Sequence, residues 1–203
     1  LVVYLKTALI MKNKVWSFTF YIGIFLPLLC SAITMPTPNS LALKASTILN
    51  SLPSKDVQSV YQDRDGFIWI STRNGLFQYD GYSITAYKSN LYHPDLLTSN
   101  NIYCVAEDSL RRLWIGTYNG LNVLDKQTGK IHKIENPEIA GIGISKILVT
   151  HDQRILFGTE VGLYEYMKEE NRFLLFDGNN TDGVFPRVAI KSLFEDDRGD
   201  VWI

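Results

Sequence analysis

Cysteine is nearly absent from this 203-residue chain. Only Cys30 and Cys104 occur, so no disulfide framework holds the fold and no Cys-x-x-Cys metal or redox motif exists. Excess charge is missing as well: 20 Lys+Arg against 21 Asp+Glu leave a net charge of −1. That balance gives no electrostatic footprint for nucleic acid or anionic lipid, and no nucleic-acid partner is expected. The three histidines, His93, His132 and His151, stand in unlike contexts with no pair at metal-ligand spacing. Gly-rich phosphate loops, serine elbows and Cys–His pairs are also lacking, so neither a cofactor nor a catalytic residue is expected in this segment. What the chain does have is apolar material, 46% hydrophobic and 12% aromatic, enough for a packed core.

The N-terminus reads as an address. Met11-Lys12-Asn13-Lys14 is basic, Val15 to Cys30 is an apolar run of 16 residues, and Ser31-Ala32 are small. Basic, apolar and small segments in that order describe a secretory signal peptide over residues 1–32. The run is short for a spanning helix of about 20 residues, which favours cleavage before Ile33 over an uncleaved anchor. Leu29 precedes Cys30 where a lipid-anchor signal needs a small residue. Residues 1–10 do not suit the start of a leader, so Met11 is the expected true start, and residues 33–51 read as a linker.

From residue 52 onward the chain repeats. Asp63-Arg64-Asp65-Gly66-Phe67-Ile68-Trp69-Ile70-Ser71-Thr72 followed by Gly75-Leu76 returns as Asp108 to Thr117 followed by Gly120-Leu121. A third copy runs from Asp152 to Thr159 and Gly162-Leu163, with Leu156 in place of tryptophan and a turn two residues shorter. A fourth starts at Asp196 and reaches Trp202-Ile203. Trp69 and Trp114 are 45 residues apart, Leu156 lies 42 further on and Trp202 another 46. Each unit reads as four strands. Aromatic and β-branched runs alternate with turns such as Arg73-Asn74-Gly75 and Asp80-Gly81, where glycine accepts the positive φ of a tight hairpin.

Four antiparallel strands every 40 to 45 residues are the signature of a β-propeller blade. The fold class expected is therefore an all-β propeller of four-stranded antiparallel blades. The blades fall at about 52–96, 97–141, 142–186 and 187–203. About three and a quarter blades are present where closed rings have four to eight, so the chain reads as a fragment ending inside its fourth repeat.

The unit Asp-x-x-Gly, aromatic-Ile-Trp-Ile, Gly or Ser, Thr, two variable residues, Gly-Leu and Tyr-Asp-Gly resembles the two-component regulator propeller repeat, over residues 52–203. That resemblance implies the periplasmic sensor region of a hybrid sensor histidine kinase of the Bacteroides type, anchored through a C-terminal part outside this sequence. It also implies an oligosaccharide or other small extracytoplasmic ligand, and a homodimer in the full-length receptor. A secreted propeller enzyme acting on glycans, a lyase or hydrolase, and a protein-binding scaffold remain the alternatives, because fold alone does not choose among them.

Most recurrent residues read as structural. Asp63, Asp108, Asp152 and Asp196 head tight turns, where a short acceptor side chain bonds the turn's own backbone N–H groups. Trp69, Trp114 and Trp202 have the spacing of core residues between blades. Cys104, inside the strand-like Ile102-Tyr103-Cys104-Val105, reads as a small buried hydrophobe. Strand parity then collects the variable loops at one end: Arg73-Asn74, Tyr118-Asn119 and Glu160-Val161, with the connections near 91–100, 135–144 and 177–187. Binding residues favour loops on a rigid scaffold, so this end is the candidate ligand face, with Arg73, Tyr118 and Tyr92 offering charge and stacking.

Overall fold

A computed structural model describes residues 52–93, 96–177 and 187–203. The leader read at 1–32 and the 33–51 linker lie outside the described residues. The rest, within one unit spanning 45–203, is built of strands alone. The first sheet is β1 (Val57–Gln62), β2 (Ile68–Thr72), β3 (Gly75–Tyr79) and β4 (Ile84–Tyr87). The second is β5 (Ile102–Glu107), β6 (Arg112–Thr117), β7 (Gly120–Asp125) and β8 (Lys130–Lys133). The third is β9 (Ile144–Val149), β10 (Ile155–Thr159), β11 (Leu163–Met167) and β12 (Arg172–Leu175), and β13 (Phe194–Glu195) and β14 (Val201–Trp202) form a two-stranded fourth. Within each sheet the strands neighbour one another in chain order, all antiparallel. The third sheet keeps this order despite its leucine.

The sheets bury their faces against one another, not within themselves. Trp69, Leu76, Val105, Leu113 and Leu124 fill the seam between the first and second sheets. Trp114, Leu121, Ile147, Phe157 and Phe173 fill the next, where the Trp114 and Phe157 rings meet edge-on at 5.6 Å. Leu156, Leu163, Ile190 and Leu193 fill the third. Trp202 stands differently. It is 59% exposed, and among the described residues no further sheet lies over it. Gly116 shows how close the sheets come: a Cβ there would sit 2.7 Å from Cys104 Sγ and 2.9 Å from the carbonyl oxygen of Ile144 in the next sheet.

The recurrent aspartates explain the recurrent tryptophans. One oxygen of Asp63 accepts the N–H groups of Asp65 and Phe67 at 3.0 and 2.9 Å, closing the turn. The other accepts the Trp69 indole N–H at 2.8 Å. Asp108 holds Trp114 in the same way at 2.9 Å, and Asp196 holds Trp202 at 3.0 Å. A buried indole N–H needs such an acceptor, since leaving it unmade costs about 1–3 kcal/mol.

The third repeat corrects the sequence alignment. Thr150, not Asp152, takes the aspartate's place: its N–H donates to the Arg154 carbonyl at 3.0 Å, as Asp108 N–H does to Arg112. The turn is of ordinary length. Where Leu156 removes the indole donor, the carboxylate that served it is gone too, and Asp152 instead accepts the Thr150 hydroxyl. Donor and acceptor are replaced together.

The recurrent threonines have a role beyond strand propensity. Thr72 Oγ1 accepts from Asn74 N–H at 3.0 Å and donates to the Gly75 carbonyl at 2.9 Å, clasping the turn between β2 and β3. Thr117 and Thr159 repeat the clasp.

Candidate functional site

Antiparallel order sorts the connections to two ends. The aspartate turns and the β3–β4 type hairpins occupy one end, and the threonine-clasped turns with the connections between sheets occupy the other. Arg73 and Tyr118 stand at the same turn position of neighbouring sheets on this second end. Arg73 is exposed. Tyr118 is 57% exposed, and its ring meets Tyr103 edge-on at 6.4 Å. Tyr92 projects from the connection between β4 and β5, 88% exposed. The Asn90 carboxamide shapes that tip by accepting the N–H groups of Tyr92 and His93 at 2.8 and 3.0 Å. The connection near 177–187 lies mostly outside the described residues.

A cavity at this end is shaped by other residues. An open cleft of about 570 Å³ is lined by Thr98, Asn119, Ile134, Glu135, Asn136 and Pro137 with their neighbours, and Arg73, Tyr92 and Tyr118 do not line it. Thr98 Oγ1 reaches Asn122 Oδ1 at 2.7 Å and Thr117 Oγ1 at 2.9 Å. Asn122 is fully buried, and its Nδ2 has no partner among the described residues. The cavity therefore has an apolar wall with hydroxyl and amide groups at its edge, the mix that suits a small polar organic ligand. Sequence pattern places both Asn119 and the 135–144 connection at this end, but not the wall that Glu135–Gly141 makes there.

At the opposite end, charge is concentrated between the first two sheets. Lys126 Nζ lies 2.7 Å from Asp63, 2.6 Å from Asp65 and 3.0 Å from Glu107, and Arg111 pairs with Asp65. Burial draws the Lys126 ammonium toward neutrality, but hydrogen bonds to Asp63, Asp65 and Glu107 outweigh it and raise its pKa. Hydrogen bonds from Arg111 and then Lys126 hold Asp65 down at about 2. Three carboxylates share two cations here, each within ion-pair distance of an opposite charge, which reads as a clamp and not as a reactive centre. Cys104 is likewise unsuited to chemistry, since burial pushes its thiol up to about 12.

The first strand of every sheet is its inner edge, and these edges face a second cavity of about 540 Å³. Tyr61, Arg64, Glu107, Lys146, His151 and Glu195 contribute to its wall. Sequence reasoning passed over it. The signal was present, because Lys146 interrupts a series of small residues, Ser59, Cys104 and Ser192, each four places before its turn head.

Sheets that bury themselves only against the next, first strand innermost and loops sorted to two ends, define a β-propeller. Residues 51–74 and 96–119 match the family described as two component regulator propeller. The chain carries two-component regulator propeller repeats. It is 35% identical over 72 residues to histidine kinase P4 of Formosa agariphila, covering 34% of this chain and 5% of that protein. In fold it is similar to the extracellular domain of the hybrid two component system BT3049 from B. thetaiotaomicron, with a TM-score of 0.63 at 22% identity over 74% of this chain and 22% of that one. It is also similar to virginiamycin B lyase from Staphylococcus aureus, with a TM-score of 0.56 at 17% identity over 74% of this chain and 50% of the lyase. The chain thus spans a small part of the kinase and about a fifth of the extracellular domain.

Proposed function

We propose that this chain is part of an extracytoplasmic, ligand-sensing propeller of a two-component signalling receptor. The observation that carries the reading is the repeat itself, matched twice as a two component regulator propeller. Similarity to a histidine kinase and to an extracellular domain of a hybrid two component system supports it. The leader composition of residues 1–32 supports export, with the propeller on the periplasmic side and the receptor anchored through its C-terminal part. In the complete receptor the propeller acts as a homodimer. The ligand is a glycan-derived oligosaccharide held at the loop end, with Asn119 and the Glu135–Gly141 wall supplying the pocket and Arg73, Tyr118 and Tyr92 approaching from neighbouring loops.

A receptor needs only a difference in affinity between two states, so ligand leaves unchanged and the output is a shift in population. Titration of the complete receptor with glycan fragments should give binding heat, no product and altered autophosphorylation. Asn119→Ala should weaken the response while leaving the thermal transition in place. Product formation would overturn the reading in favour of an enzyme.

A further inference from the structure

The inner edges of the sheets hold a second place for a ligand, away from the loop end. Four first strands, β1, β5, β9 and β13, contribute to the cavity of about 540 Å³, a volume within the range of small-molecule sites. Its charges are not equivalent. Glu107 is spent: its two oxygens take the Arg64 backbone N–H at 2.8 Å and Lys126 Nζ at 3.0 Å. Glu195 takes the His151 backbone N–H at 2.9 Å and faces the His151 ring at 3.2 Å. The side-chain cations of Arg64 and Lys146 are in no ion pair among the described residues, although both line the cavity. Phe194, 62% exposed, and the Tyr61 ring add apolar surface to the same wall.

Two unpaired cations beside aromatic surface, with Glu107 already paired to Lys126, suit a ligand that carries negative charge on an otherwise ring-shaped body. We propose that the inner-strand cavity is a binding site for an acidic saccharide, its carboxylate or sulfate held by Arg64 and Lys146 and its ring lying against Phe194 and Tyr61. This goes beyond the loop-end site, which needs no charged ligand. The two sites can be tested apart.

The experiment is calorimetric titration of the complete chain with glucuronate, glucose 6-sulfate, inorganic sulfate and glucose. Glucuronate or glucose 6-sulfate should bind at least about tenfold more tightly than glucose, the worth of one charge-assisted contact. The sulfated and carboxylated sugars together separate the two forms of charge. Inorganic sulfate should compete with whichever binds. Arg64→Ala and Lys146→Met should each weaken the acidic sugar about tenfold, while Lys130→Ala, an exposed cation on the outer strand β8, should not. An unchanged thermal transition in Lys146→Met shows that the loss is not unfolding, and Lys146→Arg should retain binding where methionine does not. Equal affinity for glucose and glucuronate, indifference to both substitutions, or no heat with either acidic sugar would overturn the proposal.

Discussion

The seam between the first and second sheets and the seam between the third and fourth answer one packing problem with different chemistry. In the first, Trp69 is 1% exposed, latched by Asp63, and the edge is closed by Lys126 among three carboxylates. In the other, Leu156 fills the tryptophan's place and Thr150 that of the aspartate, with no lysine clamp. One device is common to both. Glu107 accepts the N–H of Arg64 across the first seam and Glu195 accepts that of His151 across the last, each glutamate sitting just before its own turn head. The middle seam has Val149 at that position and forgoes the bond. Apolar burial between neighbours is the shared requirement, and polar latches are added where a polar group would otherwise be stranded.

Cutting each seam's largest residue should break this comparison most visibly. Trp69→Ala removes a buried ring and leaves Asp63 without its indole, a loss of about 3–5 kcal/mol by chemical denaturation. Leu156→Ala should cost less, about 2–3 kcal/mol, because no buried acceptor is orphaned. Equal losses would mean that the latch adds nothing to the ring.

Lys126→Met comes next. It strands the buried carboxylates of Asp63 and Glu107 and should cost about 2–3 kcal/mol. Its pH dependence tests the cause. Lys126 has a raised pKa in the folded chain, so its contribution is complete below its ordinary value of 10.5 and fades as pH climbs through the raised one. Asp65 is depressed from 3.8 to about 2, so its contribution is complete above 3.8 and fades as pH falls toward 2. Thermal melts should therefore show the gap between wild type and Lys126→Met narrowing at both extremes. A gap that stays constant as pH falls from 4 to 2 would show that packing of the lysine stem, not its charge, is what counts.

Thr150→Asp with Leu156→Trp sharpens the comparison further. Alone, the larger ring overfills the third seam and the carboxylate has no indole to serve, so each change should destabilise. Together they recreate the latch, and a double-mutant cycle should give a favourable coupling of about 1 kcal/mol. Zero coupling would mean that the paired replacement in the natural chain is coincidence.

Much of this was legible in the sequence, for physical reasons that differ residue by residue. The four-stranded units were readable because β-branched runs and glycine turns act locally, and Trp69 and Trp114 because their 45-residue spacing reports a repeated core. The third turn was misread because Asp152 offers the right residue type two places late, whereas Thr150 keeps the backbone bonds that define the position. The cavities were not readable, since both are bounded by residues far apart in the chain: Thr98 with Glu135, and Arg64 with Lys146. Lys146 was the exception, a charge in a column of small residues.

The smallest predicted effect lies in the same turns. The fourth residue of each turn adopts a left-handed backbone: Gly66 at φ 87° and Gly199 at φ 84°, but Arg111 at 62° and Gln153 at 67°. A side chain in that region crowds the following carbonyl at a cost of about 1 kcal/mol that glycine avoids. Arg111 is compensated by its ion pair with Asp65. Gln153 has only an exposed bond of 3.3 Å to the His151 carbonyl, so little is lost with its side chain. Gln153→Gly should therefore stabilise the third sheet by about 0.5 kcal/mol once the greater freedom of glycine in the unfolded chain is subtracted. Arg111→Gly should destabilise the second, because there the relief of strain comes with loss of the ion pair. The midpoints of denaturation for the two variants should shift in opposite directions, and a shift of both in the same direction would show that backbone conformation does not set the difference between these turns.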